Sequence, residues 1–526
     1  MKKATNFNRV FWLLAGICLV FSSTVSAQFS RTIVADNVLN GGPTWYGHER
    51  NVTRTTDNTV VVTWQNLSGT GGQVVGAPFD EAFGVWSLPL QISFAGDEAD
   101  KIGTIADNSG RIHAAWQQRE PGGTWQIYHA INTSGSWSTP VRVSQVDSLD
   151  SEECAIEIDS NGRIVVAWNT DAEPDGLEWV LASFSSDDGA TWSVPDTLSS
   201  SDGIIDGGST TSGRAALWAG SNGRLVAAWH ENYPGREREI RVNQYDGTNW
   251  AGEVVVSDTS DTTVSRHWHP NICMDSQDNI YVLFASDNGT GRTERRMLMN
   301  SKAWDAEWTL AVDTIAVENS ADFLTNALTI DQNDVLYAGY RRDIAADTVT
   351  NNDEVAYQTS TDLGKTWSEP VVLSRPNHDA GYLSFVGHVS GSGVDAVWRE
   401  SASEFVDNQD TTTVLHALIE LTPVGIEDDG LNTPQSFALS QNYPNPFNPT
   451  TQIEYSIFAT GNYTLSIYNL LGEKIRTLIS QKLISGEYTA EWDGKNNVGK
   501  PASSGVYFYR LSGENQTLTK KMILLR

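Results

Sequence analysis

Seven times between residues 28 and 421 the chain repeats one phrase, a turn of Asp, Asn, Ser or Gly followed by an apolar strand that closes on an aromatic side chain. Four copies run from Asp57 to Trp64, Asp107 to Trp116, Asp159 to Trp168 and Ser221 to Trp229. Three weaker ones run from Asp275 to Phe284, Asp331 to Tyr340 and Ser390 to Trp398. The aromatics stand 52, 52, 61, 55, 56 and 58 residues apart. Repetition at this period, in short strands and tight turns, predicts an all-β chain folded as a β-propeller, each repeat a four-stranded blade. A second phrase follows in most copies, a strand and a polar turn ending in Trp, as in Ile127 to Trp137, Val180 to Trp192, Ile240 to Trp250, Met297 to Trp308 and Val355 to Trp367. The last copy lacks it, so the strand near Thr32 to Asp36 is expected to complete that blade and fasten the ring. Seven marks favour seven blades; six is the alternative if the first or last mark is an accessory strand.

The chain has 526 residues, 35 Lys+Arg against 65 Asp+Glu, for a formal net charge of −30. Such a surface repels phosphates on average, which excludes nucleic acid as the expected partner and disfavours anionic membranes. At the N-terminus Lys2, Lys3 and Arg9 precede an apolar run from Val10 to Phe21 and the small residues Val25-Ser26-Ala27. This pattern predicts a secretory signal peptide, residues 1–27, cut after Ala27. Its apolar run is shorter than the ~20 residues a spanning helix needs, and no later stretch is long and apolar enough to cross a bilayer. Beyond the leader only Cys154 and Cys273 remain. They fall two repeats apart, too far for a bridge that requires Cα atoms within ~7 Å, so two free buried thiols are expected.

Two turns match a sharper pattern: Ser185-Ser186-Asp187-Asp188-Gly189-Ala190-Thr191-Trp192 and Ser360-Thr361-Asp362-Leu363-Gly364-Lys365-Thr366-Trp367. The Ser and Asp side chains can accept bonds from loop N–H groups, Gly permits positive φ, and Trp packs under the blade. Their chemistry is structural. Two such boxes in phase with the repeat resemble the Asp-box (BNR) repeats of the sialidase-like propeller superfamily, over residues 28–421. In enzymes of that family an arginine triad holds the sugar carboxylate, a Tyr assisted by a Glu is the nucleophile, and an Asp is acid and base.

In a propeller the segments leading into the innermost strands gather round the central channel. Here they supply His48-Glu49-Arg50, then Glu98, Asp100 and Lys101, then Glu152 and Glu153, then Arg214. The later copies give Arg266-His267-Trp268-His269, then Asp322 and Asn326, then His378, Asp379 and Tyr382. Three guanidiniums, Arg50, Arg214 and Arg266, can hold a carboxylate or sulfate of a glycan. On the sialidase-like reading Tyr382 with Glu153 is nucleophile and base, and Asp100 the acid. His267 and His269, two apart on a strand, share a face, yet no third ligand stands at a telling spacing, so no metal or other cofactor is expected.

After Leu421 a polar, breaker-rich linker (422–434) leads into a compact run of alternating strands: Ile453 to Ile457, Tyr463 to Tyr468, Lys474 to Leu478, Gly486 to Trp492, Gly505 to Leu511 and Thr517 to Leu524. These predict a small immunoglobulin-like β-sandwich. Asn442-Tyr443-Pro444-Asn445-Pro446-Phe447-Asn448-Pro449, Tyr468-Asn469-Leu470-Leu471-Gly472, Trp492-Asp493-Gly494, Ser504-Gly505-Val506-Tyr507 and Lys520-Lys521-Met522-Ile523-Leu524-Leu525-Arg526 resemble the type A C-terminal sorting domain of the type IX secretion system, over residues 435–526. Its fold resembles the FlgD-like immunoglobulin modules. The resemblance implies an address read by the outer-membrane secretion machinery, and a product released or held at the cell surface. Two functions remain open for the propeller: a glycan-binding or glycan-active protein, sialidase-like hydrolysis being its sharpest form, or a non-catalytic adhesion module on the same face.

Overall fold

The computed structural model describes the chain from Ala27 to Leu525, except residues 29–30, 40–49, 69–70, 81–84, 95–97, 146–148, 173–176, 200–214, 232–237, 258–264, 289–294, 310, 319–324, 344–352, 376–377, 388–392, 402–410, 422–437, 458–460, 484–485 and 514–515. Residues 1–26 of the expected leader and the 422–434 linker lie outside the described residues. Among the described residues, seven antiparallel sheets of four or five strands succeed one another along the chain. Their first strands are Val52–Arg54, Ala99–Ala106, Ser151–Ile158, Ala216–Ala219, Ser265–Met274, Asn326–Ile330 and Asp379–Gly387. Each packs against the next and the seventh against the first, which closes a circle around a channel. The molecule is a seven-bladed propeller, its blades numbered 1 to 7 in this order. Six blades is excluded because the first and last aromatic marks both belong to full sheets.

Strand alternation explains why the ring forms. On Ile164–Ala172 of blade 3, Ile164, Val166 and Trp168 pack with Ala115, Ile127 and Val143 of blade 2, while Val165 and Ala167 pack with Leu217, Leu225 and Trp229 of blade 4. Successive side chains leave a strand on opposite faces, so one apolar strand serves two neighbours. The apolar clusters therefore lie between blades, one at each of the seven junctions. The seven marks, Trp64, Trp116, Trp168, Trp229, Phe284, Tyr340 and Trp398, are all at most 1% exposed. A blade alone would leave both faces in water, which makes folding of the ring collective.

The N-terminal strand Arg31–Leu39 pairs antiparallel with Thr411–Leu421, Thr32 opposite His416, as the outer strand of blade 7. Polar groups reinforce the seam. Asp395 of blade 7, fully buried, accepts bonds from Arg54 Nε (2.6 Å) and Nη2 (2.8 Å) of blade 1. His416 Nε2 lies 2.7 Å from its Oδ1, and His416 Nδ1 lies 3.3 Å from Thr32 Oγ1. Trp86 of blade 1 donates its Nε1–H to the same hydroxyl at 3.1 Å. First strand, last blade and first blade are thus tied in one network.

At one end of the ring the turns are short and self-bonded. Asp107 accepts from the N–H groups of Ser109 and Arg111, Asp159 from Asn161 and Arg163, Asp275 from Gln277 and Asn279, and Asp331 from Asn333 and Val335. The two box turns lie at this end, between the third and fourth strands of blades 3 and 6. Asp187 Oδ1 accepts from Ser185 Oγ (2.8 Å) and Thr191 N (2.9 Å), and Oδ2 from Thr191 Oγ1 (2.6 Å). Asp362 repeats the set with Ser360 and Thr366. Gly189, at φ +84°, sits against blade 2, where a Cβ would fall 2.2 Å from the His129 ring. We expect Gly189→Ala to destabilise the protein by about 2–4 kcal/mol in urea unfolding, from backbone strain plus overlap. Gly135→Ala, at φ +86° with no neighbour within 4 Å, should lose only about 1 kcal/mol. Equal losses would show that the contact with His129 is not tight.

Cys154 and Cys273 are buried and unbridged on the innermost strands of blades 3 and 5. Denatured protein should titrate two thiols with or without reductant, and native protein none; a thiol count that rises with reductant would contradict the geometry.

The C-terminal residues form two facing sheets, Ala438–Leu439, Thr451–Ile457 and Gly486–Trp492 against Lys474–Leu483, Gly461–Asn469, Gly505–Gly513 and Gln516–Leu524. Ile453, Tyr463, Trp492, Tyr509 and Leu524 fill the space between them.

Candidate functional site

The end of the ring opposite the short turns is where the chain enters each innermost strand. The backbone there is irregular in a repeated way. The pairing of the first two strands slips between Asp100 and Gly103, Glu152 and Ala155, Trp268 and Asn271, and Gly381 and Ser384. At each slip one side chain sits in the left-handed region: Lys101 (φ 51°), Glu153 (φ 53°), His269 (φ 50°) and Tyr382 (φ 57°). Arg50 (φ 43°) holds the same place ahead of Val52 in blade 1. A side chain other than glycine in this region costs roughly 1–2 kcal/mol. Five large polar residues thus share one structural position, in blades 1, 2, 3, 5 and 7. Bulges of this kind re-aim side chains, here at the mouth of the channel. Arg214 is the matching position of blade 4 by spacing from Trp229, and lies outside the described residues.

Blades 2 and 3 contribute an acidic sector. Lys101 Nζ meets Glu153 Oε1 at 2.7 Å, with Glu153 only 1% exposed, and the Glu153 N–H donates to Gln117 Oε1 at 2.8 Å. Burial alone would lower the Lys101 pKa, but the charges of Glu153, Asp100 and Glu152 outweigh it and hold the ammonium charged. Burial pushes the Asp100 carboxyl up to about 6, against the pull of Lys101. Burial likewise pushes Glu152 up to about 7. Two carboxyls raised toward neutrality, next to one paired with a lysine, form an arrangement that can serve general acid and base work.

Blades 4, 5 and 7 contribute cations stacked on rings. Buried Trp268 has the Arg295 guanidinium 5.5 Å and the Arg238 guanidinium 6.0 Å from its ring centre. The Arg399 guanidinium lies 3.8 Å over Tyr382, whose N–H donates to Thr325 Oγ1 at 3.4 Å. His269 meets His230 edge-on, centroids 6.3 Å apart, and His267 meets Phe284 at 5.3 Å. His269 lies in the left-handed region within the slip between Trp268 and Asn271. Among the described residues no three His, Cys, Asp or Glu side chains gather as a metal site.

Arg50 departs from its expected role. Its side chain runs down the channel from blade 1, with Nη1 on Glu157 Oε2 at 2.5 Å and Nη2 donating to the Leu217 carbonyl at 3.0 Å. Its guanidinium stacks 4.5 Å over Trp218 and lines a cavity of about 200 Å³ with Asp331 and Phe385. Glu157 and Leu217 belong to blades 3 and 4, so Arg50 ties across the channel below the mouth. The Arg266 side chain and Asp322 lie outside what is described, and an arginine triad is not assembled among the described residues. Tyr382 stands on blade 7 beneath Arg399, while Glu153 stands on blade 3 against Lys101. Asp100 and Glu153 do come together, around that lysine. The box aspartates are remote from all of this; hydrogen bonds, first from Thr191 and Thr366, hold Asp187 and Asp362 below the usual carboxylate range.

The innermost-strand list yielded Asp100, Glu153 and Tyr382 but missed Arg399 on a second strand, Arg295 on a third strand and Arg238 just ahead of one. The position 14 to 16 before each aromatic mark, Arg50, Lys101, Glu153, Arg214, His269, Thr325 or Tyr382, is polar in every repeat, but no comparable spacing marks the three arginines.

Residues 441–525 match the family model of the secretion system C-terminal sorting domain. No curated protein matches the chain by sequence. Among solved structures, an ulvan lyase of polysaccharide lyase family PL25 superimposes with a TM-score of 0.54 at 12% identity, over 73% of this chain and 95% of that one. A PL25 ulvan lyase bound to GlcA(1-4)Rha3S gives 0.53 at 13%, with the same coverage. A Hadza microbial sialidase covers 73% of this chain and 68% of its own at 14% identity, with a TM-score of 0.41. The likeness to the two ulvan lyases shows the fold alone. The C-terminal match shows an exported protein, secreted or held at the cell surface.

Proposed function

We propose that this exported propeller binds an anionic polysaccharide across the mouth of its channel and cleaves it, with Asp100 and Glu152 as proton donor and acceptor. The observation that carries the reading is the set of strained bulges placing Lys101, Glu153, His269 and Tyr382 at one mouth. The surrounding chemistry supports it. The average charge repels polyanions, so an acidic sugar must be drawn by a local group of cations, and Arg238, Arg295 and Arg399 supply one against aromatic faces suited to sugar rings. One ulvan lyase that shares the fold is described as bound to GlcA(1-4)Rha3S, a ligand of the same anionic class. Export by a type IX machinery would deliver the propeller to where such polysaccharides occur. Sialidase-like hydrolysis is the narrower form, in which Arg214 and Arg266 hold the carboxylate without Arg50, and Tyr382 attacks.

Affinity electrophoresis of the mature chain tests the binding half. Gels containing uronate or sulfated polysaccharide should retard it, neutral glucans should not, and Arg399→Ala should weaken retardation by about tenfold, the loss of one stacked cation of roughly 1–2 kcal/mol. Equal migration in all gels would refute the ligand class.

A further inference from the structure

The motifs of the sorting domain divide into those the fold explains and one it does not. Phe447, Trp492, Tyr507 and Met522 lie in the core. The Asn469-Leu470-Leu471-Gly472 turn instead holds Leu470 and Leu471 in solvent, 68% and 84% exposed. The turn is firmly tied: Asn469 Oδ1 accepts from the N–H of Leu471 (3.0 Å) and of Glu473 (2.9 Å). Strand register places Asn469 opposite Tyr507 and Gly505 opposite Leu524, which brings Leu525, 52% exposed, to the same end of the sandwich. Val498, 76% exposed, joins them, because Asn497 N–H donates to the Ile475 carbonyl (3.1 Å) and Thr477 N–H to Asn497 Oδ1 (3.1 Å), beside the strand that leaves the turn. Four of the five large exposed apolar residues described in this domain thus share one end, Tyr443 being the other.

Charge separates this domain from the propeller. Residues 435–526 hold nine Lys+Arg against six Asp+Glu, whereas residues 28–434 hold 23 against 59. Lys474, Lys495 and Lys500 are exposed beside the apolar end. Exposed aliphatic side chains on tied turns, rimmed by charge, are the mark of a docking surface.

We propose that this end, Leu470, Leu471, Val498 and Leu525 with their lysine rim, is the surface by which the exported chain docks on the secretion machinery. The partner it fits presents an apolar socket with an acidic rim. The inference rests on the sorting-domain reading and names the part of the domain that is read. A turn tip in solvent can change without loss of the core, so the surface is separable from the fold.

The test compares full-length chains in the native host: wild type, Leu470→Asp/Leu471→Asp, Lys474→Glu/Lys500→Glu, and a deletion of residues 441–526, each followed by fractionation and by the melting temperature of the purified protein. Both substituted variants should melt like wild type, and the leucine variant should accumulate in the periplasm with export at least tenfold reduced, as for the deletion, the lysine variant falling between. A retained deletion with the leucine variant exported normally would overturn the docking surface and leave the address intact. Normal export of the deletion would overturn the address and the surface with it. If wild type sediments as a dimer and the leucine variant as a normally exported monomer, the end serves a second copy of the chain, and the proposal fails.

Discussion

Asp395→Ala should lower the stability of the propeller by about 3–5 kcal/mol, the loss expected when one partner of a buried, hydrogen-bonded ion pair is removed. The carboxylate is wholly buried and accepts from Arg54 and His416. Its removal takes the carboxylate from a guanidinium only 7% exposed and loosens the strand that closes the ring. Because the junction clusters fold collectively, a weak seam is felt by every blade. Urea unfolding of the mature chain measures the loss, with Asp187→Ala as comparison: it removes only exposed turn bonds and should lose much less. Replacing both partners, Arg54→Met with Asp395→Leu, should recover most of the difference, since the pair contributes closure geometry more than net energy. A loss under about 1 kcal/mol for Asp395→Ala would mean that strand pairing alone holds the seam.

The second large effect concerns the acidic sector and changes sign with the property measured. Burial raises Asp100 to about 6 and Glu152 to about 7 from the ordinary carboxyl range. Both bind a proton more tightly in the fold than in the unfolded chain. Their contribution to stability is therefore complete below about pH 4 and lost as pH rises through 6 and 7. Glu152→Gln should leave stability nearly unchanged at pH 4 and raise it at pH 8 by on the order of 2 kcal/mol, a tenfold change in proton affinity being worth ~1.4 kcal/mol. The same change should lower cleavage of polysaccharide by about 10²–10⁴-fold, the usual worth of a general acid or base. A variant that is more stable at pH 8 and inactive identifies a carboxyl placed for chemistry. One neither stabilised at pH 8 nor impaired in turnover would make Glu152 a solvated charge without a role in chemistry.

Much of the fold was legible because its signals are local and repeated. Trp64, Trp116, Trp168 and their counterparts occupy one buried position on each second strand, and Asp107, Asp159, Asp275 and Asp331 each bond the backbone within four residues. The ring closure was legible too, since an incomplete last repeat calls for a strand from the other terminus. The clasp behind it was not, because Arg54 and Asp395 stand 341 residues apart and nothing local pairs them. At the mouth, the residue types could be read from their spacing but their directions could not. Arg50 and Tyr382 hold equivalent places, yet one descends to Glu157 and the other lies beneath Arg399. That difference is made by packing across blades.

The most direct test of the account is product release from a panel of polysaccharides, uronate-bearing, sulfated, sialylated and neutral, incubated with the mature chain and with Asp100→Asn, Glu152→Gln and Tyr382→Phe variants of verified fold. The account predicts new chain ends from an anionic member of the panel and loss of that activity in the carboxyl variants. Binding without cleavage of any member by a folded protein would contradict it, and would leave the propeller as an adhesion module.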